Sequence, residues 1–207
     1  MRLWLMRHAA TPGNESHRYV GRRTDEPLSD EGRAQCLRAG ACLEAALVFA
    51  SPLARAVETA RLCFPHARVE RVAGLEEFDF GAFEGHSAQE LEHDAAYRAW
   101  VDGWCVGRCP GGESREAFVD RSNAALADVL RASDARSDDA VVVVAHGGTI
   151  MAALSAWSDV APAEGDRYFG WHVGTCEGYT AVVQIVGERI RLGAPRQFRT
   201  VPSTLVS

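Results

Sequence analysis

Two short apolar runs each stop at a histidine, and that pattern constrains this chain more than any other. The first is Leu3-Trp4-Leu5, closed by Met6-Arg7-His8 and opening onto Ala9-Ala10-Thr11-Pro12-Gly13-Asn14. The second is Val141-Val142-Val143-Val144-Ala145, followed at once by His146-Gly147-Gly148-Thr149. Short apolar runs rich in valine or leucine read as buried strands. A strand end feeding a helix is where open α/β sheets hold anionic ligands. Two histidines at two such mouths point to one shared site.

The rest of the chain supplies the partners that such strands require. Strands are expected over residues 2–6, 47–50, 69–72 and 140–145, with a terminal hairpin of residues 179–186 and 189–192 across Gly187-Glu188. Ser29-Asp30-Glu31 reads as a capped helix start, with Leu37, Ala41 and Ala45 at helical spacing behind it. A second helix runs from Leu53 to Cys63 and ends before Pro65. Residues 88–104 are amphipathic and aromatic, carrying Leu91, Tyr97, Trp100 and Trp104. Ser114 caps a helix with Phe118, Leu126, Val129 and Leu130, and the last helix follows His146 and runs to about Trp157. Strands alternating with helices imply a three-layer α/β/α fold around a mostly parallel sheet with right-handed crossovers. At 207 residues one domain, 1–207, is the simplest reading. The segment of about residues 78–113 offers no strand and is expected to be a small helical cap inserted over the site.

Charge and cysteine usage exclude several classes. Acidic residues outnumber basic ones 28 to 22, for a net charge of -6, and no basic stripe is visible. Nucleic acid is therefore not an expected partner. No segment approaches the ~20 apolar residues of a membrane span, and the early apolar run is too short for a signal peptide. The chain reads as cytoplasmic, with no membrane partner. The 6 cysteines show no C-x-x-C pair; most behave as small apolar residues, and Cys105 and Cys109 are the closest candidates for a bridge or metal pair. His17, His66, His86, His93 and His172 show neither i, i+4 pairing nor a cysteine partner, so no catalytic metal is expected.

An acidic protein that handles anions must gather its positive charge locally. Ser51-Pro52-Leu53-Ala54-Arg55-Ala56 follows an apolar strand and places Arg55 in the first turn of a helix. His146-Gly147-Gly148 adds backbone N–H donors that a ligand can approach closely. Arg7, Arg55, His8 and His146 together make a pocket of two guanidiniums and two imidazoles, suited to a tetrahedral dianion. Read singly, each has a plainer explanation, as a structural histidine, a solvated helix arginine or a tight turn.

These residues, in this order, resemble the histidine phosphatase superfamily in its phosphoglycerate-mutase-like branch. The arginine-histidine loop corresponds to Arg7, His8, Thr11 and Asn14; Ser51 to Ala56 with Thr59-Ala60 form the second segment. Leu75, Glu77 and Gly81 with Glu84-Gly85 form the third, and His146 to Gly148 the fourth. The resemblance implies that His8 is a nucleophile forming a transient phosphohistidine and that Glu77 is the acid/base carboxylate, with Glu76, Asp79 and Glu84 as neighbouring competitors. It implies that Arg7, Asn14, Arg55, His146 and Gly147 hold the phosphate, with no metal and no cofactor. The chain departs from the family at Ala9 and Ala10, where glycine and then glutamate or glutamine are usual. That leaves the phosphate machinery intact and puts substrate choice in doubt.

The compact chain favours a phosphatase over a mutase, which must retain a bisphosphate. Tyr97 to Trp104, Pro110 to Ser114, Tyr19 to Arg22 and Pro27 to Ser29 resemble the α-ribazole phosphatase group. That implies a small phosphate monoester as the partner, α-ribazole 5′-phosphate among the candidates, with Trp100 or Trp104 against a flat base or, more plainly, packed into the core. The alternatives are a phosphoglycerate mutase-type transferase, a protein phosphatase acting on phosphohistidine or phosphoserine, and a non-catalytic phospho-ligand-binding protein. Oligomeric state is not legible, and a homodimer is compatible with the sequence.

Overall fold

The computed structural model describes residues 1–39, 45–163 and 165–199. One six-stranded sheet runs through it in the order β3-β2-β4-β1-β5-β6. The strands are β1 (Arg2–Arg7), β2 (Leu47–Ala50), β3 (Arg68–Arg71), β4 (Ala140–Ala145), β5 (Gly178–Val186) and β6 (Arg189–Phe198). Strands β3, β2, β4 and β1 are parallel, and the β5–β6 hairpin continues the sheet antiparallel beside β1.

The valine run of β4 explains the layers. Successive side chains of a strand point to opposite faces, so Val141, Val143 and Ala145 enter one apolar core and Val142 and Val144 the other. On the first face they meet Leu126, Val129 and Leu130 of α5 (Arg115–Ala135) and Ile150, Ala153 and Leu154 of α6 (Gly147–Trp157). On the second they meet Cys36 and Ala39 of α2 (Asp30–Ala39) and Ala56, Ala60 and Cys63 of α3 (Ala54–Cys63). A strand apolar on both faces requires helices on both sides, and the result is the expected three-layer α/β/α arrangement. Each fully buried valine or leucine contributes roughly 1.5–3 kcal/mol.

Register sets the site. Arg7 pairs with Ala145 and Ala50 with Val144, so β1, β4 and β2 end side by side. The next residues, His8, His146 and Ser51, therefore emerge together. The His8 N–H donates to Ala145 O at 2.9 Å and the Ser51 N–H to Val144 O at 2.9 Å.

Several local expectations shift. The third strand lies one residue earlier than 69–72. Leu37 is 73% exposed, because α2 turns Gly32, Cys36 and Ala39 inward; Ala41 lies outside the described residues. Gly32 is there for space, since a Cβ would sit 2.0 Å from Ala10 O. Within the amphipathic stretch 88–104 the α-helix is α4 (Ala95–Asp102), which the Asp94 side chain caps by accepting from Tyr97 N. Strand β6 runs past residue 192 to Phe198, with an irregularity opposite Thr180 and Val182 and Ala194 at φ 48°. A bulge of that kind absorbs Gly193-Ala194-Pro195 without ending the pairing.

Among the described residues, 78–113 contains no ladder strand, and it forms its own aromatic cluster. Phe78, Phe83, Leu91, Tyr97, Trp100 and Cys109 pack with Phe118 of α5 and Ala152 of α6.

Candidate active site

His8 follows β1 and is 3% exposed. Its Nδ1 lies 2.7 Å from Ala9 O, and a carbonyl can only accept, so Nδ1 carries the hydrogen. Nε2 is left with the lone pair, and the Arg55 Nε–H donates to it at 3.3 Å. Burial first, then the guanidiniums of Arg55 and Arg7, hold this imidazole well below its ordinary pKa. His8 is a neutral imidazole with a defined tautomer. Ala9 is not in the left-handed region, so alanine meets the backbone there without strain, and its N–H donates to Thr59 Oγ1 at 3.0 Å.

Arg55 is fully buried in the first turn of α3. Its terminal nitrogens donate to Thr24 O at 2.8 Å and Gly21 O at 3.0 Å, which directs Nε toward His8. Arg7 donates through Nη1 to Val173 O at 2.8 Å, while its Nε is buried with no partner in the protein.

His146 is fully buried, its ring centroid 5.2 Å from that of His8. Ser51 Oγ lies 2.7 Å from its Nε2 and accepts the Leu53 N–H at 3.4 Å. With the Ser51 hydroxyl donating to Nε2, the His146 hydrogen sits on Nδ1. That Nδ1 also has no partner in the protein. Burial, followed by Arg55, His8 and Arg7, holds His146 well below its ordinary pKa. Each buried donor left unpaired costs about 1–3 kcal/mol.

Glu77 stands at the α6 N-terminus. Its carboxylate accepts from Phe78 N at 2.9 Å and Gly148 N at 3.3 Å. Burial raises its pKa against the opposing pull of those N–H groups, Arg55 and Arg7. Its competitors are otherwise engaged. Glu76 accepts from Gly74 N at 2.7 Å and pairs with Arg121 at 3.5 Å. Asp79 pairs with Arg23, and Glu84 binds Thr24. Asn14 spends Oδ1 on the Thr11 N–H in a capping box on the short helix α1 (Pro12–Glu15). It lines a depression shared with Arg7.

Beside Arg7, Glu77, Gly147 and Gly148 opens a cavity of about 330 Å³. Its walls are mainly aromatic: Tyr19, Phe78, Phe80, Trp100, Tyr168 and Phe169. The Arg115 guanidinium lies 5.0 Å from the Tyr168 ring and also lines it. Trp100 reconciles both readings of its ring, packing against Phe83 and Tyr97 while facing this cavity. Trp104 does not line it and is 67% exposed.

The structure thus brings Arg7, His8, Arg55, Glu77, His146 and Gly147 around one place, with Asn14 on the adjoining depression. Sequence reasoning assigned no role to Ser51, which orients His146, or to Arg121, which sorts Glu76 from Glu77. Ser51 occupies the same strand-exit position as the two histidines, and that was the available signal. Cys105 and Cys109 are free thiols rather than a bridge.

The α/β sheet thus gathers two imidazoles and two guanidiniums at its strand ends. The sequence profile of the histidine phosphatase superfamily, branch 1, matches residues 3–187, and the chain belongs to that family. It is 33% identical over 174 residues to an acid phosphatase of Mycobacterium tuberculosis, covering 81% of this chain and 80% of the relative. It is 31% identical over 192 residues to an adenosylcobalamin/α-ribazole phosphatase of Escherichia coli, covering 89% and 90%. The crystal structure of the α-ribazole phosphatase from Shigella flexneri superimposes with a TM-score of 0.73 at 26% identity, covering 93% of this chain and 94% of that one. Among the described residues, no helix is long and apolar enough to cross a membrane.

Proposed function

We propose that this protein is a phosphomonoesterase that hydrolyses a small, ring-bearing phosphate ester through a phosphohistidine on His8. The observation that carries the reading is the tautomer of His8: Nδ1–H is fixed on Ala9 O, and Nε2 presents its lone pair beside Arg55. In the first step Nε2 bonds to phosphorus as the P–O ester bond breaks, and the Glu77 carboxyl gives its proton to the leaving oxygen. In the second, Glu77 takes a proton from water, water oxygen bonds to phosphorus and the P–N bond breaks.

Arg7 Nε, His146 Nδ1 and the amide of Asn14 donate to the equatorial oxygens, with Gly147 at the helix start beside them. Arg55 contributes charge, and its Nε–H, which occupies the Nε2 lone pair in the resting site, moves onto a phosphoryl oxygen before Nε2 attacks. These cations supply what phosphoryl transfer asks of its surroundings, so the reaction proceeds without a metal. Residues 78–113 serve as the cap of a single domain spanning 1–207, and the aromatic cavity beneath them receives the ester's organic part. A flat base between Trp100, Tyr168 and Phe169 fits it, which favours α-ribazole 5′-phosphate, in keeping with the relatives of that name.

Phosphate release in chelator tests this on α-ribazole 5′-phosphate, p-nitrophenyl phosphate, 3-phosphoglycerate and nucleotides, beside His8→Ala. Strong turnover of the ribazole ester, abolished in the variant, supports the whole reading. Even turnover of every ester keeps the phosphatase and removes α-ribazole 5′-phosphate as its particular substrate. No His8-dependent hydrolysis overturns the proposal in favour of a binding protein.

A further inference from the structure

Cys36, Cys63 and Cys176 are far apart in sequence and meet in space. They come from α2, from the last residue of α3 and from the turn before β5, and their sulfurs all lie within 4.8 Å of one another. None is more than 2% exposed, and the surroundings are the apolar core beneath the sheet. Cys176 reaches the trio with its backbone at φ 60°, a conformation that side-chain-bearing residues rarely adopt. Simple apolar packing requires neither the sulfurs' convergence nor that backbone.

We propose that Cys36, Cys63 and Cys176 bind one soft, thiophilic metal ion of the zinc or copper(I) kind, at a site separate from the phosphate pocket. An ion bonded to each sulfur at about 2.3 Å draws a planar trio to about 4 Å apart, a small closure from the present spacing. Softness selects the ion, since three thiolates without a carboxylate or imidazole favour d¹⁰ cations over magnesium or calcium. Thr59 Oγ1 also touches Cys36, but it is engaged by the Ala9 N–H and Arg55 O, so three-coordination is the natural state. Binding releases the thiol protons.

The site lies directly behind the nucleophile. The Cys176 N–H donates to His8 O at 3.1 Å, and Thr59 bridges Ala9 and Arg55. A metal here ties α2, α3 and the His8 loop together from the side opposite the substrate, without touching phosphate.

The test is a titration of reduced, metal-free full-length protein with Cd²⁺, read by the thiolate-to-metal charge-transfer band and by equilibrium dialysis. One Cd²⁺ per chain is expected with a saturating band, unchanged in Cys105→Ala. The band should be lost in Cys63→Ala and Cys36→Ala, while metal-free Cys63→Ala keeps its far-ultraviolet dichroism and phosphate release. Zn²⁺ should also raise the melting temperature of the wild type and not of Cys63→Ala. Absence of a band in the wild type, its survival in both trio variants, or its loss in Cys105→Ala would each overturn the proposal.

Discussion

A carboxyl group donates a proton near neutrality only where its surroundings disfavour the anion. Burial raises Glu77 in that sense, while Glu76, one residue away, is engaged by Arg121. Glu77→Gln should therefore lose roughly 10²–10⁴-fold in kcat on an alkyl phosphate and much less on p-nitrophenyl phosphate, whose leaving group needs no proton. Steady-state rates on the two esters check this; equal losses on both would remove the acid role. The proposed nucleophile shows the same logic reversed. His8 must be neutral to attack, and burial with Arg55 and Arg7 keeps it so well below pH 6.5. The acid limb of the rate profile should accordingly lie below the range of an ordinary histidine.

At the scale of elements, the α6 N-terminus is the tightest joint in the site. A Cβ at Gly148 would stand 2.3 Å from Glu77 Oε1 and 2.9 Å from the Phe118 ring. The flexible carboxylate can yield where the helix cannot, so Gly148→Ala should fold yet displace the proton donor. A loss of about 10²-fold in kcat/KM on alkyl esters is expected from a misplacement of that size. An unchanged kcat/KM would contradict the placement of Glu77. Much of this joint was legible in the sequence. The valine run, the Gly-Gly pair and the histidine before them predict strand, turn and helix from local chemistry alone. The same holds for β1 with His8 and for β2 with Arg55. What escaped was long-range. Nothing local to Arg55 announces that the carbonyls of Gly21 and Thr24 will bind its terminal nitrogens and leave Nε for His8. Nor does Cys36 announce Cys63 and Cys176, which only the packing of α2 and α3 under the sheet brings together. Leu37 misled because helical spacing fixes a face but not its phase, and the required close approach of Gly32 to Ala10 sets that phase.

The whole molecule carries the cost of its site as a dependence of stability on pH. His8 and His146 are neutral when folded, and unfolding returns them to an ordinary pKa of 6.5. Between their lowered folded values and 6.5 the unfolded chain binds more protons, so stability falls as pH falls. Glu77 acts oppositely: its carboxyl is raised above 4.5 when folded, so its contribution declines as pH rises from 4.5 through that raised value. Two imidazoles outweigh one carboxyl, each changing stability by up to about 1.4 kcal/mol per pH unit. Calorimetry should show the melting temperature dropping below about pH 6.5. A flat melting temperature from there to about pH 5.5 would mean that the two rings are not held neutral. The central claim, however, is covalent. Wild-type protein mixed with substrate and quenched within a turnover in alkaline denaturant should show the added mass of one phosphoryl group, mapped to the peptide containing His8. His8→Ala should show neither the adduct nor phosphate release. Full turnover by His8→Ala, or a phosphoryl group mapped to another residue, would contradict the account.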